Sequence, residues 1–156
     1  MKKEWIKMIV WIVVFQLIGL SLGLITQDNI LSWYKLLHKS SLTPAPLVFS
    51  IVWPILYAML ALAGQSLWQQ RSDHDARIAL YFYGSQLLMN WSWTPLFFGL
   101  HYIGLSFVWI LLLNILTLIN IYLTKDKFKF ACLMLVPYFL WLIFASYLNG
   151  MIWLLN

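Results

Sequence analysis

Five long apolar runs, separated by short polar breaks, dominate the sequence. They cover residues 8–27, 47–70, 78–100, 103–124 and 130–155. About 20 helical residues, at about 1.5 Å each, cross the roughly 30 Å hydrocarbon core of a bilayer. The runs lack the alternation of apolar and polar residues that is typical of membrane β-barrel strands. The sequence therefore predicts a single all-α domain over residues 1–156, an integral membrane bundle of five transmembrane helices.

The charged residues predict how this bundle is oriented. They make up 10% of the chain and lie outside the apolar runs. Eight Lys and Arg residues fall on the side of the N-terminus, namely Lys2, Lys3, Lys7, Arg71, Arg77, Lys125, Lys127 and Lys129. Only Lys35 and Lys39 fall on the other side. The positive-inside rule then places the N-terminus in the cytoplasm. The first apolar run also resembles a secretory signal, but it is long enough to span, so we expect it to be retained.

The same composition argues against several classes of function. The net charge is +5, yet the basic residues are scattered between apolar runs, so nucleic-acid binding is not expected. Cys132 is the single cysteine and has no His nearby, which leaves no disulfide or metal site within one chain. No predicted span carries a charge, which argues against a coupled pump and against acid–base catalysis.

The first loop, residues 28–46, is the one long connection in the predicted bundle. It contains an amphipathic stretch at 30–37, and Pro44 and Pro46 then hold the chain extended before the second span. Long loops in otherwise tightly connected bundles are often functional. We interpret this loop as a lid over the outward mouth of the bundle, with a passive linker as the alternative.

Three spans carry a stripe that mixes aromatic and amide side chains at helical spacing. The stripes are Trp53 and Tyr57 in the second span, Gln86, Asn90, Trp93 and Phe97 in the third, and Pro137, Trp141, Ala145 and Asn149 in the fifth. At about 1.5 Å per residue, Trp53, Asn90 and Trp141 lie about 10 to 20 Å below the outward ends of their helices. Amides facing lipid would have no partner, so Gln86, Asn90 and Asn149 should face inward. Hydrogen bonding between helices is the alternative role for these amides.

Proline and glycine residues add to this interpretation. Pro95 and Pro137 each remove a helical hydrogen bond and are expected to bend their helices, leaving room between them. A mostly apolar cavity with few polar groups would suit a flat hydrophobic ligand. Gly19 and Gly23 form a GxxxG pair, whose role stays open between packing within the bundle and self-association.

Four segments of the chain resemble the TspO/MBR family of tryptophan-rich sensory proteins and translocator proteins. They are Trp33-Tyr34 with residues 39–46 in the first loop, then residues 53–57, 86–98 and 137–149, and they run in family order across essentially the whole chain. The resemblance implies a five-helix bundle, commonly dimeric, with a porphyrin pocket that opens toward the first loop.

The resemblance also implies individual site residues. By motif position these are Trp53, Asn90, Trp93, Trp141, Ala145 and Leu148 in the pocket, with Trp33, Tyr34, Pro44 and Pro46 in the lid. The stripes add Tyr57, Gln86 and Asn149 as candidate ligand-binding residues. The chain has Lys39-Ser40 and Pro44-Ala45-Pro46 where the family usually has Lys-Pro and adjacent prolines, so a looser lid is expected. Tyr147 has no basic residue after it, so sterol binding through the motif of animal members is not expected.

Three functions compete at this point. The first is a membrane binding protein for porphyrins such as protoporphyrin IX, acting as a tetrapyrrole carrier, sensor or regulator without a required cofactor. Free-base porphyrin is favoured over haem, because no His in a span offers an axial ligand. The second is a light- and oxygen-dependent porphyrin-degrading enzyme, implied by the resemblance, with Trp53 and Trp141 as its catalytic residues. The third is a membrane scaffold or a sterol- or lipid-binding protein. In each case we expect a homodimer in the cytoplasmic membrane of a bacterium.

Overall fold

The computed structural model describes residues 2–156, with side chains from residue 5 onward. This part of the chain forms six α-helices and contains no β-strand. The helices are α1 (Lys2–Leu31), α2 (Trp33–Leu36), α3 (Pro46–Gln69), α4 (His74–Thr94), α5 (Ile103–Thr124) and α6 (Lys129–Leu155). The all-α prediction is confirmed, and the five apolar runs correspond to the five long helices.

Four of the described helices, α1, α3, α5 and α6, are long and apolar enough to cross a membrane. The third predicted span, residues 78–100, is helical, but α4 is not among those four. Its apolar sequence is interrupted by Gln86, Asn90 and other polar residues. Length and composition alone therefore identify a membrane bundle of four spans, with α4 as a more polar helix beside them.

The long helices pack in a closed ring in the order α1, α3, α6, α5, α4, and α4 with the turn after it returns to α1. Neighbours in this ring are not always neighbours in sequence, because α6 lies between α3 and α5. A cluster of buried apolar side chains fills the ring. It includes Leu60, Leu113, Leu135 and Leu142, which are at most 1% exposed. Many apolar side chains on the outside of the ring are exposed, as expected for a surface that faces lipid.

The two ends of the ring differ in charge. At one end, Lys127 in the turn before α6 pairs with Asp73 and Asp75 at the start of α4. Asp73 also caps α4 by accepting hydrogen bonds from the backbone N–H groups of Asp75 and Ala76. The hydrogen bond from Lys127 is the main cause that holds the pKa of the Asp73 carboxyl below its usual value. These contacts bring together two of the loops counted on the basic side, whereas the side chains of Lys2 and Lys3 lie outside the described residues.

The predicted helix distortion is found at one of the two prolines. At Pro95 the α4 helix passes into a π-helical turn, Pro95–Gly99, in which the Leu100 N–H donates to the Pro95 carbonyl over 2.9 Å. The chain then reverses at His101, whose φ of 58° lies in the left-handed region. Pro137 lies inside α6, which is α-helical before and after it, and a bend there stays a prediction. The first loop is shorter than predicted, since α1 extends to Leu31 and α2 follows it.

The GxxxG pair in α1 divides into a packed and an open position. A Cβ added to Gly19 would lie 2.8 Å from a ring carbon of Tyr57 in α3, whereas one added to Gly23 would meet nothing within 4 Å. Tyr57 is itself buried and hydrogen-bonded. Gly19 therefore allows α1 to approach α3 within the bundle.

Replacing Gly19 by Ala should lower the thermal unfolding temperature of the purified protein. The added methyl group must displace the Tyr57 ring, and overpacking of this kind typically costs about 1–3 kcal/mol. Gly23→Ala is the matched control, because alanine favours the helix and no neighbour obstructs it. Equal unfolding temperatures for the two variants would contradict the assigned contact.

Candidate functional site

A chain of hydrogen bonds joins three helices at the centre of the bundle. The Tyr57 hydroxyl in α3 donates to Asn90 Oδ1 in α4 over 3.2 Å. Asn90 Nδ2 donates in turn to the hydroxyl of Tyr138 in α6 over 2.9 Å. All three side chains are buried, Tyr138 completely. One carboxamide thus holds together the three helices that carry the predicted stripes.

Trp53 and Trp141 are both half-buried; Trp53 packs against the Tyr57 end of this central chain, and Trp141 follows Tyr138 by about one turn of α6. The Trp53 ring is tilted against Tyr57, with ring centres 5.6 Å apart. The Trp141 ring meets the edge of Phe49, also in α3, at 5.8 Å. The indole N–H of Trp141 is shielded from solvent and has no hydrogen-bond partner in the described part of the chain. Both indoles therefore border the packed interior, and Trp141 has an unused donor.

Trp93 and Asn149 form a second polar contact nearer the first loop. The indole N–H of Trp93 lies 3.1 Å from Asn149 Oδ1 and 3.2 Å from the carbonyl oxygen of Ser106, and it donates to both. The Asn149 amide donates to the Ile103 carbonyl over 3.2 Å. These contacts tie α4 and α6 to the start of α5. Both polar groups of Asn149 are used by the protein itself, which fits the helix-linking role weighed as an alternative.

The remaining candidate residues in the helices are less uniform. Gln86 is fully buried and accepts a long hydrogen bond of 3.4 Å from the Thr117 hydroxyl, while its side-chain nitrogen has no partner among the described residues. Ala145 is half-buried, and Leu148 is buried. The three amides Gln86, Asn90 and Asn149 all face inward, as the sequence predicted.

A cluster of aromatic rings lies between the central chain and the first loop. The Trp93 and Phe97 rings are stacked with centres 4.9 Å apart. Trp33 in α2 meets the edge of Phe97 at 5.5 Å and stacks on the His101 ring at 4.0 Å. Tyr34 packs against Phe98 at 5.5 Å. Two of the four predicted lid residues therefore contact the π-helical turn and the reversal that follows it.

Lys39 holds the end of α2. Its ammonium group donates to the carbonyl oxygens of Tyr34 at 2.7 Å and Leu37 at 2.8 Å, and it lies 4.8 Å from the centre of the Tyr34 ring. Partial burial lowers the pKa of Lys39 and raises that of Tyr34. A partly buried cation that binds helix carbonyl oxygens keeps this part of the loop compact.

The rest of the first loop is attached to α6. The backbone N–H of His38 donates to Asn156 Oδ1 at 2.9 Å, and Asn156 Nδ2 donates back to the His38 carbonyl at 3.0 Å. The hydroxyls of Ser40 and Tyr147 lie 2.8 Å apart. Pro44 is half-buried, whereas Pro46 is exposed at the first position of α3, where its fixed φ suits a helix start. Few polar contacts thus fix the loop over this end of the bundle.

Two cavities of the described chain lie away from Trp53, Asn90 and Trp141. One, of about 490 Å³, lies between the ends of α1 and α3 at the basic end. The other, of about 300 Å³, is an apolar groove between α5 and α6 lined by Phe107, Tyr147 and Met151 among others. A cavity bounded by Trp53, Asn90 and Trp141 stays a prediction.

Sequence reasoning missed the central role of Tyr138. A mid-span tyrosine needs a partner for its hydroxyl in hydrocarbon, and this requirement would have drawn attention to it. The sequence also did not predict that Tyr147 and Asn156 bind the first loop. They are separated from Ser40 and His38 by 107 and 118 positions, and no local pattern signals such a distant pair.

Comparison with known proteins gives one consistent result. The sequence model described as the TspO/MBR family matches residues 11–154. A tryptophan-rich protein TspO of Archaeoglobus fulgidus is 32% identical over 151 residues, which cover 97% of each chain. A protein of the same name from Chlorobaculum tepidum is 35% identical over 80% of each chain. The translocator protein of Ovis aries is 31% identical over 78% of this chain and 73% of its own.

Replacing Asn90 by Leu should destabilise the bundle strongly. It leaves the buried hydroxyls of Tyr57 and Tyr138 without a shared partner, and each unpaired buried polar group typically costs about 1–3 kcal/mol. The triple variant Tyr57→Phe/Asn90→Leu/Tyr138→Phe removes all three polar groups and should regain part of the loss. Thermal unfolding temperatures of the unaltered protein, Asn90→Leu, Tyr138→Phe and the triple variant test this prediction. Additive losses without any recovery in the triple variant would show that the three groups do not act together.

Proposed function

Because this chain belongs to the TspO/MBR family and is an integral membrane protein, we propose that it binds porphyrins such as protoporphyrin IX within the bundle. The proposed role is that of a tetrapyrrole carrier, sensor or regulator, with no cofactor required. The observation that carries the proposal is the meeting of Tyr57, Asn90 and Tyr138 from α3, α4 and α6. Trp53 packs against Tyr57, and Trp141 follows Tyr138 by about one turn of α6.

The chemistry of these side chains suits a flat tetrapyrrole. Indole rings offer large apolar faces and prefer offset stacking with another aromatic system. Trp53 and Trp141 are half-buried, so their rings border the interior without being sealed inside it. The Trp141 N–H has no partner among the described residues, and Asn90 supplies a carboxamide that bridges Tyr57 and Tyr138 in this structure. A mostly apolar site with a few polar groups of this kind is typical of ligand pockets.

The proposal includes α4 as a fifth membrane span. Its polar groups are paired with neighbouring helices. The Asn90 side chain contacts α3 and α6, and the backbone carbonyl of Ala79 accepts a hydrogen bond from Asn120 in α5 over 2.7 Å. Polar groups paired inside the bundle carry little penalty in a membrane. With the basic end in the cytoplasm, the N-terminus is cytoplasmic and the first loop faces outward. A second copy of the chain is the proposed partner.

The first loop is proposed to act as a lid. Three contacts hold the loop in place. Trp33 stacks on His101, the hydroxyls of Ser40 and Tyr147 are within hydrogen-bond distance, and His38 and Asn156 share two hydrogen bonds. These contacts can break without the unfolding of a long helix. Opening there would expose the rings of Trp93 and Phe97, which lie above the central chain. Exchange of ligand through this end would then be limited by the loop.

Protoporphyrin IX should quench the tryptophan emission of the purified protein in a saturable titration. Trp53→Phe/Trp141→Phe should raise the dissociation constant about fivefold, because the smaller phenyl rings weaken both stacking contacts and the Trp141 N–H is lost, a change of about 1 kcal/mol in all. Absorbance of the bound porphyrin gives a second readout that does not depend on the missing tryptophans.

Trp5→Phe/Trp153→Phe is the matched control, because these indoles are exposed at opposite ends of the bundle. It should leave the dissociation constant unchanged. If both double variants bind as the unaltered protein does, the porphyrin does not lie between Trp53 and Trp141.

Loosening the lid should accelerate exchange of the ligand. Tyr147→Phe removes the hydroxyl that contacts Ser40, and the loss of one hydrogen bond of about 1 kcal/mol corresponds to roughly a fivefold faster association and dissociation. Stopped-flow quenching measures both rates. Tyr102→Phe is the control, since this exposed tyrosine lies at the same end. Rates that are equal in the two variants would argue against a gating loop.

A second candidate function is photochemical degradation of the bound porphyrin. It is favoured by the two half-buried indoles, Trp53 and Trp141, because an excited porphyrin held against an indole can drive oxidation of either partner. Illuminating the complex with and without oxygen separates the candidates. A carrier should give no more degradation than free porphyrin in detergent, whereas an enzyme should give oxygen-dependent product that Trp53→Phe/Trp141→Phe abolishes.

A further inference from the structure

A second site lies at the basic end of the bundle, far from the first loop. A cavity of about 490 Å³ separates the ends of α1 and α3 there. It is lined by Lys7 and Trp11 from α1, by Gln65, Trp68 and Gln69 from α3, and by Arg71 just beyond α3. The proposed porphyrin site uses none of these residues. Two cations, two carboxamides and two indoles thus surround one space.

Gln65 is the first sign that this cavity holds a ligand. Its side chain lines the cavity, is only 7% exposed, and makes no hydrogen bond to any residue that the structure describes. The Gln65 amide is not among the unpaired side-chain groups that are shielded from solvent, so it opens onto the cavity itself. A carboxamide that faces a cavity without a protein partner has both its donors and its acceptor available for a polar group supplied from outside.

The charge of the cavity indicates the kind of group. Lys7 and Arg71 are cationic, and no acidic residue occurs among the described lining residues. Arg71 lies over the Trp68 ring at 5.1 Å, and its Nη1 donates to the Trp68 carbonyl oxygen over 2.9 Å. A guanidinium has five N–H donors, so this contact leaves most of them to bind an anion.

The indoles indicate that the anion is amphiphilic. Trp11 is half-buried against the bundle, and Trp68 is half-exposed at the end of α3, as is typical of rings at a membrane interface. The adjacent surface of α1 exposes Val10 and Val14, which offer an apolar path for a hydrocarbon chain. A phosphate at Arg71 with an acyl chain along α1 would match both parts of the site.

We propose that this cavity binds a phosphate group, with Arg71 and Lys7 holding its charge and Gln65 donating a hydrogen bond to one of its oxygens. The headgroup of an anionic phospholipid is the source that the neighbouring apolar surface favours. Basic pockets between the ends of transmembrane helices are known to suit such headgroups. This site would anchor the α1–α3 end of the bundle to anionic lipid independently of porphyrin binding.

Phosphatidylglycerol retained by the protein in detergent, measured by native mass spectrometry, tests the proposal. The protein should retain this lipid in preference to phosphatidylcholine. Arg71→Gln should weaken retention about fivefold, the effect expected for one cation near a headgroup. Arg71→Lys should retain most of the binding, and Gln65→Leu should reduce it without any change of charge.

Arg77→Gln is the matched control, because it removes one charge from the same end of the bundle but lies outside the cavity. It should retain the lipid as the unaltered protein does. Protoporphyrin IX titrations of the Arg71 and Gln65 variants should be unchanged, which separates failure of this site from failure of the porphyrin site.

Inorganic phosphate added as a competitor distinguishes the two sources of the group. Displacement of phosphatidylglycerol only at high phosphate concentration supports a lipid site, and tight binding of phosphate alone supports a soluble phosphate ligand in the same cavity. Equal retention of phosphatidylglycerol and phosphatidylcholine, or equal loss in the Arg71 and Arg77 variants, would overturn the proposal.

Discussion

In the hydrocarbon core of a membrane, a polar side chain cannot form a hydrogen bond with water, and an amide then needs a hydrogen-bond partner within the protein. Apolar contacts do little to select one helix arrangement there, because lipid tails are as apolar as the side chains they replace. In this protein Asn90 meets that requirement for three helices at once, by bridging the hydroxyls of Tyr57 and Tyr138. Trp53, a residue of the proposed porphyrin site, packs against this bridge at Tyr57.

The same rule accounts for the position of α4. Helices α1, α3, α5 and α6 can each cross a membrane by composition alone, whereas α4 carries polar groups that need neighbours. Asn120 in α5 donates to the Ala79 carbonyl, and Trp109 donates to the carbonyl of Met89. The polar helix is thus enclosed by hydrogen bonds on its α5 side and by the Asn90 bridge on the other. Asn90, one of the polar residues that make α4 a poor membrane span on its own, thus also fixes α4 in the bundle.

The sequence predicted those features that follow from local patterns. Apolar runs of span length became the five long helices, and helical spacing correctly placed Gln86, Asn90 and Asn149 on inward faces. The break in α4 at Pro95 also follows from one residue, since proline cannot donate the missing hydrogen bond.

The features that the sequence did not predict depend on residues far apart in the chain. Tyr138 acquires its role only because α6 packs against α3 and α4, and the contact of His38 with Asn156 joins positions 118 residues apart. Gln65 belongs to no sequence motif, and it lines a cavity only because α1 packs beside α3. Pairings of this kind are set by the order of helices around the ring, which periodicity within one helix does not reveal.

The most direct measurement is a crystal structure of the protein with protoporphyrin IX bound. The account predicts the tetrapyrrole between α3, α4 and α6, in contact with Trp53 and Trp141 and beneath the first loop, with the hydrogen bonds of Asn90 rearranged or extended to the ligand. A porphyrin bound in the groove between α5 and α6 or at the basic end, with the bridge from Tyr57 to Tyr138 unchanged, would contradict it.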